Sequence, residues 1–424
     1  MLLRYNKEMG RSYCPDGRSY ILKKPRIEEL TPFRGLAFLA IVMQHSLAEY
    51  IYRADIVPAD SIMLMFIYHL TRFGTPTFVF LSAVLLFYNN EQKLHYPSFI
   101  RKRFGDIYVP FLLWTIVYWL SIRLTMVTNW MDIETWKGLA REWFTPQAGY
   151  HLWFVIMVFQ FYLLFPLFRT LVLKIKSRLQ GMEHKRQNAV ILTILLVSGA
   201  AYTYLLYLSY YRMGQWGAEN AVWQTILGYR SYSFVMYIFY FILGAVCAFM
   251  LDRFRMVMVK FLPWNAILSV LLFIYLAYDV LRGSGETMNL NISTYLKPTT
   301  FLLILSQMFL LYGVFRMISV KSKFHQLFTW IGRYSFGGYL VHALIIYGIA
   351  FFTRPLQLSG YHLGFTLLTF VLTAVLSLLV SFGLSRLPGS RYTVGLARKR
   401  ADSSHADRVK QRNNIPANSK SLTE

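Results

Sequence analysis

The chain has 424 residues, of which 56% are hydrophobic and 17% aromatic, and a formal net charge of +24. A water-soluble fold of this length could not cover so much apolar side chain, so a soluble enzyme is excluded. The charge does not point to nucleic acid either, because it is spread over the connections between long apolar stretches instead of forming one basic face.

Residues 1–31 contain no apolar core and read as a cytoplasmic N-terminal segment, not a cleavable signal peptide. Ten apolar stretches follow, at about 35–53, 62–88, 104–128, 151–173, 189–211, 232–251, 263–281, 298–318, 332–353 and 362–385. Each is near the ~20 residues that a helix needs to cross the ~30 Å hydrocarbon core. Most of the 44 Lys and Arg fall in the first segment, in alternate connections and in the tail. That asymmetry places both termini in the cytoplasm. The expected fold is all-α: a polytopic membrane protein of about ten transmembrane helices over 32–388, N- and C-termini cytoplasmic. Residues 389–424 are basic and polar, the composition of a disordered cytoplasmic tail. Cys14 and Cys247 are expected in different compartments, so no disulfide framework is expected.

The first span contains "FRGLAFLAIVMQH", from Phe33 to His45. Arg34 and His45 are eleven positions apart, which is about 16 Å along a helix axis. An Arg34 at the headgroups therefore puts His45 near the bilayer midplane, where a titratable group is expensive and points to function. His342, in "SFGGYLVHALIIYG", is about ten residues into the ninth span and reaches a similar depth, since both spans run from inside to outside. In the second span His69 and Arg72 share a helix face, just before "GTPTF". Gly74 and Pro76 should break the helix there. Glu49 follows His45 by one turn and is within side-chain reach of it. For His69, hydrogen bonding between helices is the simpler account, and Glu49 is equally well explained as a solvated carboxylate near the interface. For His45 and His342 function is the better reading.

No HExxH, Walker-type glycine loop or GxSxG elbow occurs, and two distant cysteines offer no ligand pair. No metal site is expected. Imidazole is the side chain best matched to general-base work near neutral pH. A base in the membrane core, beneath cytoplasmic cations, suits activation of a hydroxyl for attack on a thioester. The loop "SFIRKRFGDIYVP" supplies such cations in Arg101, Lys102 and Arg103. They could hold the phosphates of a coenzyme A-type donor, although positive-inside charge alone would also place them there.

Taken in order, these segments resemble the integral-membrane acyltransferase-3 family of O-acyltransferases. "RGLAFLAIVMQH" reproduces its Arg-x10-His signature, and "PTFVFLSAVLLFY" its phenylalanine-rich second span, with Ala83 where Gly is usual. "RKRFGDIYVPF" is similar to its basic loop, and "HLWFVIMVFQFYLLFPLF" and "YFILGAVCA" to its later helices. "IGRYSFGGYLVH" is similar to its ending at His342. The "HLWF" and "YVPF" forms look closest to the exopolysaccharide branch, including the intercellular-adhesin type. Asp106 stands where the loop often carries a second arginine, and Gln160 where many relatives are acidic.

The resemblance implies an acetyl or succinyl group taken from cytoplasmic acyl-CoA and placed on a hydroxyl of a surface or exported glycan. His45 would be the base or acyl-accepting residue, oriented by Glu49, with Arg34 at the cytoplasmic entry. Arg101, Lys102 and Arg103 would contact the donor. His342 would second the base or position the acceptor, Arg72 and Tyr339 would serve the tetrahedral intermediate, and His69 and Trp153 would line the substrate path. No bound cofactor is implied; acetyl-CoA or succinyl-CoA is a co-substrate. The setting implied is a bacterial plasma membrane, with membrane lipid, a glycan synthase or export complex, or a second copy as partners. The competing reading is a polysaccharide or lipid-linked glycan exporter or flippase, which ten spans and many aromatic residues also fit.

Overall fold

A backbone in hydrocarbon has no water to bond, so every N–H must be satisfied inside its own segment, and long apolar runs become helices. The computed structural model describes residues 24–90, 94–126, 129–217 and 219–396. It also gives the backbone of three short strands, Arg4–Asn6, Arg11–Tyr13 and Ser19–Ile21, paired antiparallel in sequence order. Cys14 and residues 397–424 lie outside the described residues.

The helices are α1 (Leu30–Ala48), α2 (Pro58–Leu70), α3 (Gly74–Asn89), α4 (Tyr96–Arg103), α5 (Val109–Arg123) and α6 (Ile133–Glu142). There follow α7 (Trp153–Leu179), α8 (His184–Tyr207), α9 (Ala221–Gly228), α10 (Ile238–Phe249) and α11 (Leu251–Lys260). The last five are α12 (Leu262–Gly283), α13 (Pro298–Met317), α14 (Lys323–Thr353), α15 (His362–Leu384) and α16 (Ser390–Val394). Among the described residues eight segments are long and apolar enough to cross a membrane, and nine if the bent pair Phe234–Phe249 and Leu251–Lys260 is one span. The remaining apolar stretch of the sequence is α1, whose run is interrupted by Arg34, Gln44 and His45. It is nonetheless central, with Phe33, Ala37, Phe38, Val42 and Leu47 fully buried. Lipid does not have to tolerate its polar residues because neighbouring helices cover them.

Three details depart from regular spans. The second span breaks at residues 71–73, between α2 and α3, where Gly74 and Pro76 were expected to break it. The sixth is continuous only over Phe234–Phe249 and then turns by 108° into α11. The charged residues of α11 favour leaving the bundle axis, and Arg255 there grips the base of α1. It donates to both carboxylate oxygens of buried Glu29 at 2.7 and 3.0 Å, and Tyr312 adds a third bond at 2.8 Å. Burial raises the Glu29 carboxyl, but the bonds from Arg255 and Tyr312 outweigh it and hold it below its usual value. This anchor therefore stabilises the fold above the ordinary carboxylate range and is lost only on acidification.

The third departure corrects the expected tail boundary at 389. Ser390–Val394 are helical, and Val394 is fully buried. Trp114 Nε1 donates to Thr393 O at 2.9 Å, and Arg391 pairs with Asp106 and donates to Lys102 O. The folded unit thus continues to the last described residue.

One contact sets the register of the site. α1 and α14 touch backbone to backbone at Gly35 and Gly332. A Cβ on Gly332 would lie 2.0 Å from Thr31 O, and one on Gly35 2.5 Å from Phe328 O. Only glycine fits, the usual device for close helix approach in membranes.

Candidate active site

From that crossing the two helices run in the same direction. His45 lies ten residues beyond Gly35, and His342 ten residues beyond Gly332. Equal rise brings the two imidazoles to one level, about 15 Å from the glycine contact. Their ring centroids are 5.2 Å apart. The similar depth read from the sequence becomes direct juxtaposition.

A third imidazole completes the cluster. His151 sits in the 3-10 turn Tyr150–Leu152 that opens α7. Its centroid is 4.6 Å from that of His342 and 6.3 Å from that of His45. Nothing in the sequence singles this histidine out, since a residue in the turn before a span carries no periodic signal of where it points. Tyr150 also faces His45, at 5.1 Å between centroids. Among the described residues no group of three or more His, Cys, Asp or Glu is placed to hold a metal ion.

The hydrogen bonds distinguish the three rings. His342 Nδ1 is 2.6 Å from Tyr339 O, its own helix carbonyl three residues back. A carbonyl only accepts, so Nδ1 carries the proton and the lone pair of the neutral ring is on Nε2. Among the described residues Nε2 is buried with no hydrogen-bond partner, and neither nitrogen of His151 makes a hydrogen bond of normal geometry. His45 lies in the last turn of α1, is only partly covered, and its ring makes no hydrogen bond among the described residues. Buried polar atoms without partners are rare and mark a place where something is expected to bind.

The other anticipated residues divide. Glu49 does not orient His45: both its carboxylate oxygens are taken by Arg354, at 2.6 and 3.0 Å, closing the far ends of α1 and α14. A guanidinium arriving from the next turn outward is a stronger partner than an imidazole. Because this pair is largely exposed on the Arg354 side, Glu49→Gln should change the transfer rate by no more than about threefold. A loss comparable to that of a His45 variant, measured at equal protein level, would restore Glu49 to the site.

Tyr339 does stand beside His342 and His151, at 5.6 and 5.2 Å between centroids. Its hydroxyl, however, is spent on the His151 carbonyl, so it positions the turn and is not a free donor to an intermediate. Trp153 stacks with Tyr232 and Tyr237 instead of joining the imidazoles. Gln160 is structural, its amide bonding Tyr232 O and Phe234 N. His69 has both nitrogens satisfied, by Met65 O at 2.9 Å and Ser293 Oγ at 3.1 Å, which is the role of helix glue. Arg72 lies in a separate polar cage, joined to α1 through Gln44.

At the other end of α1, Arg34 donates to Gly332 O at 2.9 Å. It lines a cavity of about 250 Å³ with Lys24, Arg26, Thr31, Tyr88 and Asn89. The loop cations point in different directions. Arg101 and Lys102 are exposed, whereas Arg103 turns inward over Phe99 and Tyr162, at 5.4 and 5.3 Å. The loop continues into a π-helical turn, Phe104–Tyr108, a distortion often found at functional sites.

Long apolar helices that enclose a cluster of imidazoles, with a separate cationic cavity at the Arg34 end of α1, define a multi-pass membrane protein. A family profile described as an acyltransferase domain matches residues 27–386, and the chain belongs to that family of membrane acyltransferases. It is 24% identical over 340 residues to a Staphylococcus aureus (strain MRSA252) protein named "Probable poly-beta-1,6-N-acetyl-D-glucosamine export protein", covering 78% of this chain and 86% of the relative. It is 25% identical over 336 residues to a Bacillus subtilis (strain 168) protein named "Putative membrane-bound acyltransferase YfiQ", covering 75% and 80%. No solved structure matches.

Proposed function

We propose that the protein is a plasma-membrane O-acyltransferase that takes an acyl group from cytoplasmic acyl-CoA and places it on a hydroxyl of an exported or surface glycan. The observation that carries this is the pairing of His45 with His342, whose Nε2 holds the lone pair of a neutral ring and has no hydrogen-bond partner among the described residues. Positive-inside charge puts the Arg34 cavity on the cytoplasmic side. Arg34, Arg26 and Arg103 are suited to the phosphates of the donor there.

His45 removes the proton of the acceptor hydroxyl as its oxygen attacks the thioester carbonyl. His342 Nε2 supports the imidazolium that results. Collapse of the tetrahedral intermediate breaks the carbon–sulfur bond, and the departing thiolate takes the proton back from His45. The products are an ester and free coenzyme A. Tyr150, whose ring faces His45 and whose hydroxyl forms no hydrogen bond among the described residues, is the donor best placed to meet the oxyanion.

The name of the Staphylococcus relative favours a second reading, glycan export. One experiment separates the two: alkali-labile acyl content and total surface glycan in cells lacking the gene, complemented with wild type or with His45→Ala. Esters lost with export intact, in both the null and the variant, support transfer. Glycan missing in the null but restored by His45→Ala means that the protein exports and that its histidine is structural.

A further inference from the structure

A groove of about 550 Å³ runs between α7, α8 and α10, and none of the three clustered histidines lines it. Along α7 its wall extends from Phe168 to Gln180, about 18 Å of helix. That is close to the depth of one leaflet, half of a ~30 Å hydrocarbon core. The lining changes along this length. Phe168, Ile194, Ile238 and Phe241 stand at the inner end, and Lys176, Gln180, Gln187 and Arg253 at the mouth. The connection between α7 and α8 at the mouth also carries Lys185 and Arg186, so positive-inside charge puts it at the cytoplasmic surface. An apolar trough one leaflet deep, with a basic mouth at the headgroups, has the polarity of a lipid and not of a soluble ligand.

The mouth is also built for an anion. Arg253, just past the 108° bend, donates from Nη1 to Asn188 Oδ1 at 2.8 Å and from Nη2 to His184 Nδ1 at 2.9 Å. Both acceptors are neutral, and among the described residues Arg253 forms no ion pair; its acidic neighbour Asp252 is 3.3 Å from Arg255. Lys176 Nζ lies 5.2 Å from the ring centre of Phe249, so its alkyl stem covers the groove while the ammonium stays at the rim. We propose that this groove binds an anionic glycerophospholipid of the cytoplasmic leaflet, with an acyl chain between α7, α8 and α10 and the phosphate between Arg253 and Lys176. A guanidinium is a strong phosphate donor, and basic pockets between membrane helices on this side suit anionic head groups. A phosphate held by both cations ties α11 to α7. Two residues beyond Arg253, Arg255 grips Glu29 beneath α1, so the lipid supports the joint that anchors α1. The site is independent of the acyl-transfer reading.

The test needs no turnover. Purified full-length protein in detergent is titrated with phosphatidylglycerol or phosphatidylcholine of identical chains, and bound lipid is counted by native mass spectrometry beside the melting midpoint. One phosphatidylglycerol should be retained per protein and should raise the midpoint more than phosphatidylcholine does. Lys176→Gln and Arg253→Gln should each weaken its retention about tenfold, and the two together should remove the preference between the lipids. Val246→Trp, which fills the trough, should lower retention of both. The double variant Lys185→Gln, Arg186→Gln removes two exposed charges outside the lining and should leave the preference unchanged. Because bound lipid is counted directly, a lower midpoint in a variant does not hide the result. Four outcomes would each overturn the assignment. They are equal retention of the two lipids, a preference lost as fully in the Lys185 and Arg186 variant, an equal midpoint rise from glycerol 3-phosphate alone, or a dimer that Val246→Trp splits.

Discussion

His45→Ala is expected to lower acyl transfer by about 10²–10⁴-fold, the range that a positioned general base contributes, with the protein still in the membrane at its wild-type level. The fold should survive because the His45 ring makes no hydrogen bond among the described residues and is only partly covered. Its removal strands no partner. His342→Ala differs in kind. That ring is fully buried and ties Nδ1 to Tyr339 O, so its loss should reduce both rate and stability. The check is ester formation per amount of membrane protein, with the melting midpoint recorded for each variant. A His45→Ala protein that retains a third or more of the wild-type rate would remove this residue from the chemistry.

The second large effect is expected at Gly332, far from any reacting atom. A single methyl group there meets Thr31 O at 2.0 Å, and the obstacle is backbone, with no side chain to swing aside. Gly332→Ala must therefore push α14 away from α1. Overpacking of this kind costs about 1–3 kcal/mol and sometimes more, and the displacement is passed ten residues along both helices to His342 and His45. Melting midpoint and transfer rate should fall together. Gly348→Ala, on the same helix with nothing within 4 Å of the added carbon, is the control and should leave both unchanged. Indistinguishable behaviour of the two variants would show that the glycine contact does not set the register of the histidines.

Much of this was legible in the sequence wherever a residue's position follows from counting along one helix. Arg34 to His45 is such a distance, and so is the shared level of His45 and His342, because both count from the same end of parallel spans. The break ahead of Gly74 and Pro76 is likewise local chemistry. Counting fails where a competitor arrives from elsewhere. Glu49 is one turn from His45, but Arg354, 305 positions away, takes its carboxylate. Tyr339 was a free hydroxyl in the sequence and is a bonded one in the fold, because the turn bearing His151 comes to it. His151 itself could not be placed, since a turn has no period to fix its direction. The 108° bend after Phe249 was hidden for a related reason: hydropathy measures how far an apolar run extends, not the angle at which the next helix leaves.

The short helix after the last long one bears on where this protein can be shortened. The family match stops at residue 386, which invites a cut there. A chain ending at Arg386 would lose Val394, which packs against Gly337, and Thr393 O, which receives the Trp114 indole N–H. It would also leave Asp106 without Arg391 beside the inward-turned Arg103. The segment therefore acts as a plug seated from outside the bundle. Trimming by a carboxypeptidase should be tolerated up to that plug, and the loop that carries Arg101, Lys102 and Arg103 should loosen once digestion removes it.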